Sequence, residues 1–545
     1  MVIKKPISMI FIVWLGYLFT IYCAQKLGFG FGYHIWPQGE DRNWIGFIQD
    51  LHSADMVKSF WKVDGRNPLA AWYWYAASPI IVKSPWGLYF LSLIPNLILS
   101  LSIFALLNRI SKGEFPIYSI SVALITLVWN FSFRFDNSAI TSYLALNFTI
   151  LSLFFYCGFI DSQRKSIHQI LLSLLCYFLA FTTYTLQSGA LVGIILLGIF
   201  RTQNLFLKER IINIILDSTF FFAFFYLYNL IWYEVTPKPS YVFFTYDTSK
   251  ISSMFIQSIS KFIFPPSLMS FINEVIGHWS AKKISLIFIT GFIAYVCLFF
   301  NKYTKKFLLN DKSANAPYFW VISILLAISL PTILVESTNN TFFPGSRSYF
   351  IQQIFQPLLY VAILFAVINL LFHKHAKRLS LICVAIFAAT ILTISFYYNS
   401  ILMQKTYYQM KLAEELNNLN FPLGKEIYFI VKIDKNKSPY IGSEPNLSCY
   451  ARTVLNNKNS FIKILYDVPP PPIFKDNWKV TFENNLVKNT VDLWETKIIP
   501  YEKILIVSFD GTNLVVPKII EKSYFEGFQI DWNRDSPIHQ NGVVA

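Results

Sequence analysis

Apolar runs long enough to cross a lipid bilayer recur from the start of the chain to Tyr397, and no other feature limits its fold as strongly. About 20 residues at 1.5 Å rise cross the hydrocarbon, where only a helix or a closed barrel satisfies its own backbone. Helical spans are predicted over Ile7 to Cys23, Trp86 to Leu107, Ile117 to Phe133, Ala139 to Ile160, Ile170 to Leu186 and Ala190 to Phe200. Further ones follow over Ile211 to Val235, Ile284 to Phe300, Tyr318 to Val335, Ile354 to Phe372 and Leu379 to Tyr397. That makes about eleven, of which the sixth is short. Charged residues are only 14% of the 545. An ordinary globular chain carries about 25%, so a wholly soluble enzyme is excluded.

A net charge of +15 raises nucleic acid as a partner, but the position of the charge argues against it. From Leu402 onward 17 basic residues face 16 acidic ones, which leaves 29 against 15 in the apolar part. The excess therefore sits in membrane loops, where it orients the chain. With Lys4 and Lys5 in the cytoplasm, the loops holding Arg109/Lys112, Arg164/Lys165, Arg201/Lys208/Arg210, Lys302/Lys305/Lys306/Lys312 and Lys374/Lys377/Arg378 fall there too. Lys282 and Lys283 are the exception, read as headgroup contacts. The first span lacks a small-residue cleavage site and is expected to be an anchor, not a signal peptide.

The plan is an all-α polytopic membrane protein with a small α+β tail. It divides into a first span (1–29), a first outer loop (30–85), a bundle (86–400) with outer loops 236–283 and 337–352, and a tail (401–545). An odd number of spans puts the tail outside the cytoplasm. In the first loop, Trp44, Phe47, Ile48 and Leu51 have the spacing of an amphipathic helix, either interfacial or packed on the bundle. In the tail, Leu402 to Leu419 reads as a helix, and Glu426 to Ile433, Phe461 to Val468 and Ile504 to Val507 read as strands, with a turn at Asp510-Gly511. Cys449 has no internal partner there, and the other five cysteines fall in spans as small hydrophobes.

Chemistry is sought in the outer segments, because non-helical chain above a helical bundle is where sites gather. Glu40 and Asp41 are adjacent carboxylates that repel each other, which raises one pKa and suits a base taking a proton from a hydroxyl. The alternative is a solvated acidic pair. Asp64-Gly65-Arg66-Asn67-Pro68-Leu69 puts a turn and a guanidinium ahead of Trp72-Tyr73-Trp74-Tyr75. Arg66 there can bind phosphate or orient a carboxylate, and the rings can stack on a sugar or form an ordinary interfacial belt.

Arg134 and Asp136 lie in a short turn between spans, paired with each other or facing a cavity shared with the acidic pair. Tyr184 and Gln187, three residues apart, share a helical face and bond another helix or a substrate. Arg347, after Pro344-Gly345, neutralises a lipid phosphate or contacts headgroups. Asp217, inside the seventh span, is expected to pair with Arg210. No histidine has metal-ligand spacing, and no Walker loop, dinucleotide fingerprint or nucleophile elbow occurs.

Taken together, a first span, an acidic pair, Gly65-Arg66-Asn67-Pro68-Leu69 and Arg134-Phe135-Asp136-Asn137 resemble the bacterial and phage O-antigen glucosyltransferases of the serotype-converting type, within the GT-C glycosyltransferase superfamily. Asn67 departs from the Gly-Arg-Pro-Leu pattern. The resemblance covers the layout of the membrane part and no motif of the tail. It implies an inverting hexosyltransferase, glucose being the hexose, acting outside the cytoplasmic face of a bacterial inner membrane. The donor would be an undecaprenyl phosphate hexose and the acceptor a lipid-linked O-antigen. A donor synthase and a flippase would act upstream.

Glu40 or Asp41 would be the base, the other positioning the acceptor or holding a divalent cation such as magnesium or manganese. Arg347, Arg134 and Arg66 would bind the donor phosphate, and Asp64, Asp136, Trp72, Trp74, Tyr184 and Gln187 the sugars. A lipid flippase or transporter predicts internal repeats, helices broken by Gly/Pro at matching places and charges within spans, whereas this sequence shows no repeat and its candidate charges cluster in outer loops. An O-antigen polymerase shares the layout but has no need of the acidic pair. A mannose or aminoarabinose donor on the same scaffold stays open.

Overall fold

In the computed structural model the described residues are 85–129, 137–183, 190–202, 206–235, 279–300, 317–330, 347–372 and 378–397, eight strands between 427 and 530, and short pieces within 7–16, 69–76, 253–277 and at 415. They belong to two compact units. One comprises Met1–Tyr22, Ser53–Ala77 and Tyr89–Asn399, and the other Cys23–His52, Ser78–Leu88 and Ser400–Ala545.

Helices follow the predicted spans, all within the first unit except Pro85–Leu88 at the start of the first. They are α1 (Pro85–Ile110), α2 (Pro116–Val128), α3 (Asn137–Asp161), α4 (Ile167–Thr183), α5 (Ala190–Arg201), α6 (Leu207–Val235), α7 (Ala281–Phe299), α8 (Pro317–Ser329), α9 (Arg347–Leu371) and α10 (Arg378–Tyr397). Proline opens α1, α2 and α8, where its missing N–H costs nothing. Ser280 caps α7, its side chain accepting from the Lys283 amide. The third span, expected to reach Phe133, ends as a helix at Val128.

Among the described residues four helices are long and apolar enough to cross a membrane, Tyr143–Asp161, Leu207–Tyr228, Ala281–Phe299 and Arg378–Tyr397, and there are shorter apolar helices as well. These mark a multi-pass membrane protein. The α3 and α10 spans are mostly buried, whereas α6 and α7 are largely bare. On α6, Ile215, Leu216, Phe220 and Phe222 are all exposed, a surface that suits lipid and not water.

Every residue of α2 is buried, so it is the central helix. Phe115 stacks on Phe319 of α8 at 4.4 Å, and Tyr118 meets Trp320 edge-on at 4.9 Å. The Tyr118 hydroxyl donates to the Leu358 carbonyl of α9. Around it the interhelical bonds come from small polar side chains, as is usual where lipid offers no other partner. Ser152 of α3 and Ser173 of α4 each donate to the other's carbonyl at 2.8 Å. Asn96 donates to the Leu127 carbonyl at the end of α2, and Asn147 to the carbonyl of Pro95, the proline inside α1.

Aromatic rings hold α6. Tyr177 and Phe181, one turn apart on α4, meet Phe221 and Tyr228 on α6 edge-on at 5.4 and 4.8 Å.

Strands of the second unit form two four-stranded sheets. In one, β1 (Ile427–Ile433) lies between β2 (Ile462–Tyr466) and β6 (Ile504–Phe509), parallel to both, with β7 (Leu514–Val515) antiparallel to β6. The other is antiparallel, in the order β5 (Glu495–Pro500), β4 (Leu486–Asp492), β3 (Val480–Glu483), β8 (Gln529–Ile530). The three predicted strands fall on β1, β2 and β6. The predicted tail helix over Leu402 to Leu419 lies outside the described residues apart from Glu415.

Candidate functional site

Antiparallel packing sorts the helix ends of the first unit into two sets. Arg109 near the end of α1, Asp161 at the end of α3 and Arg201 at the end of α5 meet through ion pairs. Phe115 before α2 and Phe319 at the start of α8 stack, and Phe365 late in α9 reaches Tyr118 early in α2. This is the basic end. The stretches 301–316 and 373–377, which carry the remaining basic clusters in sequence, connect helices whose ends lie there.

At the opposite end, Trp129 just beyond α2 donates to Gln356 Oε1 early in α9 at 3.3 Å, and Gln356 Nε2 donates to the Phe262 carbonyl at 3.0 Å. Gln356 is buried, so both of its polar atoms need the partners they have. The Tyr360 hydroxyl, one turn on, donates to the Ile263 carbonyl at 2.7 Å. Part of the predicted outer loop 236–283 is thereby bonded into the bundle. Trp279, just before α7, meets Tyr397 at the end of α10 edge-on at 5.3 Å.

This far end borders the candidate segments. Arg134 and Asp136 lie between Trp129 and the start of α3, Tyr184 and Gln187 between the end of α4 and the start of α5, and Arg347 is the first residue of α9. Glu40, Asp41, Asp64, Arg66, Trp74, Arg134, Asp136, Tyr184 and Gln187 lie outside the described residues, as does the predicted amphipathic helix of Trp44 to Leu51; for Arg347 the helical backbone is described. Trp72 and Tyr73 are helical. Trp72 is exposed, which leaves its ring accessible, and burial holds the Tyr73 phenol above its ordinary pKa. Among the described residues no three histidine, cysteine or acidic side chains gather as a metal site.

The basic end holds the best-defined polar cluster. Asp217, on the buried face of α6, accepts from Arg164 Nη2 at 2.6 Å and from the Tyr156 hydroxyl at 2.8 Å. Arg164 Nη1 also reaches Asn213 Oδ1 at 2.9 Å. The expected partner Arg210 is wrong: its guanidinium instead donates to the Ile199 carbonyl of α5. Arg210 and Asp217 are seven residues apart on one helix, about 10 Å along the axis, too far for contact. The turn after α3 delivers Arg164 instead, at φ 64° after Gln163 at 55°. Two left-handed residues without glycine are strained, and the contacts to Asp217 and Asn213 offset that cost.

Sequence reasoning missed Gln356, Trp129 and Tyr156. A polar glutamine before Pro357 in an otherwise apolar run was the available sign for the first. No protein-family model matches the chain. No curated protein matches it either.

Proposed function

We propose that the chain is an inverting glycosyltransferase that moves a hexose, glucose on the resemblance, from undecaprenyl phosphate to a lipid-linked O-antigen or related surface glycan. On the resemblance, the reaction takes place on the periplasmic face of a bacterial inner membrane. One observation carries this reading beyond sequence. The helix ends that border Arg134, Asp136, Tyr184, Gln187 and Arg347 share one end of the first unit, opposite the end that collects the basic clusters. Orientation by positive charge then turns the candidate segments away from the cytoplasm.

In this mechanism one carboxylate of Glu40 and Asp41 takes the proton of the acceptor hydroxyl as its oxygen attacks the anomeric carbon. The bond from that carbon to the phosphate oxygen breaks, and undecaprenyl phosphate leaves with the electron pair. Arg347, Arg134 or Arg66 stabilises the charge that collects on the phosphate. A single displacement inverts the anomeric centre. A polyprenyl donor enters from lipid, which suits a bundle with an active end at one membrane surface.

The test compares the surface glycan of cells with and without the gene by mass, and again with Glu40→Gln or Asp41→Asn. An added anhydrohexose mass per repeat, lost in at least one variant that still inserts, is expected. No change in glycan mass removes the transferase reading. A change that both variants retain removes the base assignment alone.

A further inference from the structure

At the basic end two arginines reach one shared carboxylate. The Arg201 side chain is 5% exposed, and its Nη2 lies 3.4 Å from Asp161 Oδ2 while also donating to the Arg109 carbonyl. Arg109 Nε stands 3.7 Å from the same Oδ2, with its guanidinium 4.5 Å over the ring of Phe154. Charge-assisted bonds are typically about 2.7–2.9 Å, so one carboxylate serves two cations at long range.

Polar atoms next to them are also unsatisfied. Among the described residues Arg201 Nε has no hydrogen-bond partner, and neither has Gln169 Oε1 at the start of α4. Gln169 Oε1 and Arg109 Nη2 both lie against the bare Cα of Gly158, so the amide and the guanidinium share one small space. Cys157 is buried beside them. A desolvated cation without a full counter-charge is costly, and a buried donor and acceptor left unmade add to that cost. Asp161 and Arg109 are the members that reach the surface, at 35% and 25% exposure, with Lys112 and Lys165 exposed on the adjoining turns.

We propose that Arg109 and Arg201 bind the phosphate group of an anionic lipid headgroup, a phosphate diester bearing a free hydroxyl that donates to Gln169 Oε1. Asp161 is the resident counter-ion and competes with the ligand. The site is separate from the transferase reading and does not depend on it. Inorganic phosphate offers the same chemistry without the acyl chains. A lipid is favoured by the position of the cluster at the end of the apolar helices α1, α3 and α5, where headgroups lie.

Thermal unfolding of the full chain tests this, in phosphatidylcholine vesicles with rising fractions of phosphatidylglycerol or with inorganic phosphate in the buffer. Phosphatidylglycerol should raise the midpoint saturably. Arg201→Gln and Arg109→Gln should move half-saturation about tenfold higher, as loss of a charged hydrogen bond does. Lys112→Gln and Lys165→Gln should not move it, and Asp161→Asn should lower it by removing the competitor. An equal rise with phosphate alone, lost in the same arginine variants, keeps the site and makes free phosphate its ligand. Wild-type half-saturation in both Arg109→Gln and Arg201→Lys would reduce the effect to surface charge and overturn the proposal. A weaker lipid response in Asp161→Asn would overturn it too. Should Arg201→Gln fail to fold, the more exposed Arg109→Gln and the charge-preserving Arg201→Lys still decide.

Discussion

Arg164 Nη2 lies 2.6 Å from Asp217 Oδ2, and this contact fastens the turn after α3 to the buried face of α6. Removing one partner strands the other in a poorly solvated place. Arg164→Met or Asp217→Leu alone should therefore lower stability by about 3 kcal/mol, the low end for a buried pair because the arginine is 23% exposed. The double variant should lose less than either single one, since no charge is left unpaired. Unfolding of all four proteins in one detergent checks this. Additive losses would mean that the two side chains are not coupled.

Gly158 makes a second prediction in which two effects oppose each other. Alanine is the better helix former by about 1 kcal/mol. At Gly158, however, a Cβ would collide with the Arg109 guanidinium and the Gln169 amide. Both are the ends of flexible side chains that can turn aside, so Gly158→Ala should be close to neutral, while Gly158→Val, with more volume to place, should lose about 1–3 kcal/mol. Gly277, with nothing within 4 Å of its Cβ position, is the control, and Gly277→Ala should be neutral or slightly stabilising. Equal midpoints for Gly158→Ala and Gly158→Val would contradict the packing at Gly158.

What could be read from sequence follows the range of the interactions involved. The span over Ile211 to Val235 was legible because apolar run length is local, and the helix occupies Leu207–Val235. The partner of Asp217 was not, because Arg164 is 53 residues away and arrives through a left-handed turn that no motif announces. In the tail, β1 reads as an apolar run, as a strand flanked by parallel neighbours does, and β6 beside it reads the same way. The hairpin of β3 and β4 was missed, although β3 alternates and Asn484-Asn485 between the strands is turn chemistry. Of the candidate site, the helix ends that border it were legible. The placement of Glu40 and Asp41 depends on residues beyond those described.

Gln356 joins Trp129 and the Phe262 carbonyl in one buried chain of bonds. Gln356→Leu fills a similar volume but removes both bonds, and should cost about 1–3 kcal/mol. Gln356→Glu keeps an acceptor for the indole but replaces the donor to Phe262, and should cost more if the carboxylate stays charged. Thermal midpoints compared with wild type check both. A wild-type midpoint for Gln356→Leu would show that the chain of bonds adds nothing to stability.

Alternation of the helix ends predicts labelling from two sides. With the six natural cysteines changed to alanine, a cysteine at Lys112 or Lys165 should react with an impermeant maleimide only in inverted vesicles. One at Asn137, which opens α3, or at Lys283, early in α7, should react only in intact spheroplasts. Labelling of all four from one side would contradict the antiparallel packing. Reversal of both pairs would keep the packing and turn the candidate segments toward the cytoplasm, against the transferase reading.

Arg347 is the first residue of α9, whose early turns hold Gln356 against Trp129. If its guanidinium neutralises the departing lipid phosphate, its contribution grows as the sugar–phosphate bond breaks and belongs to turnover more than to donor binding. Arg347→Ala should then lower kcat by about 100-fold or more, the scale for losing one donor to a developing anion, with KM little changed. Arg347→Lys keeps the charge but loses the planar fork and should fall between, near tenfold. Transfer of labelled hexose from undecaprenyl phosphate in membrane vesicles, over a range of donor concentrations, separates the two parameters. Mild and equal effects of alanine and lysine would reduce Arg347 to a headgroup contact, and a rise in KM with kcat unchanged would confine it to donor binding.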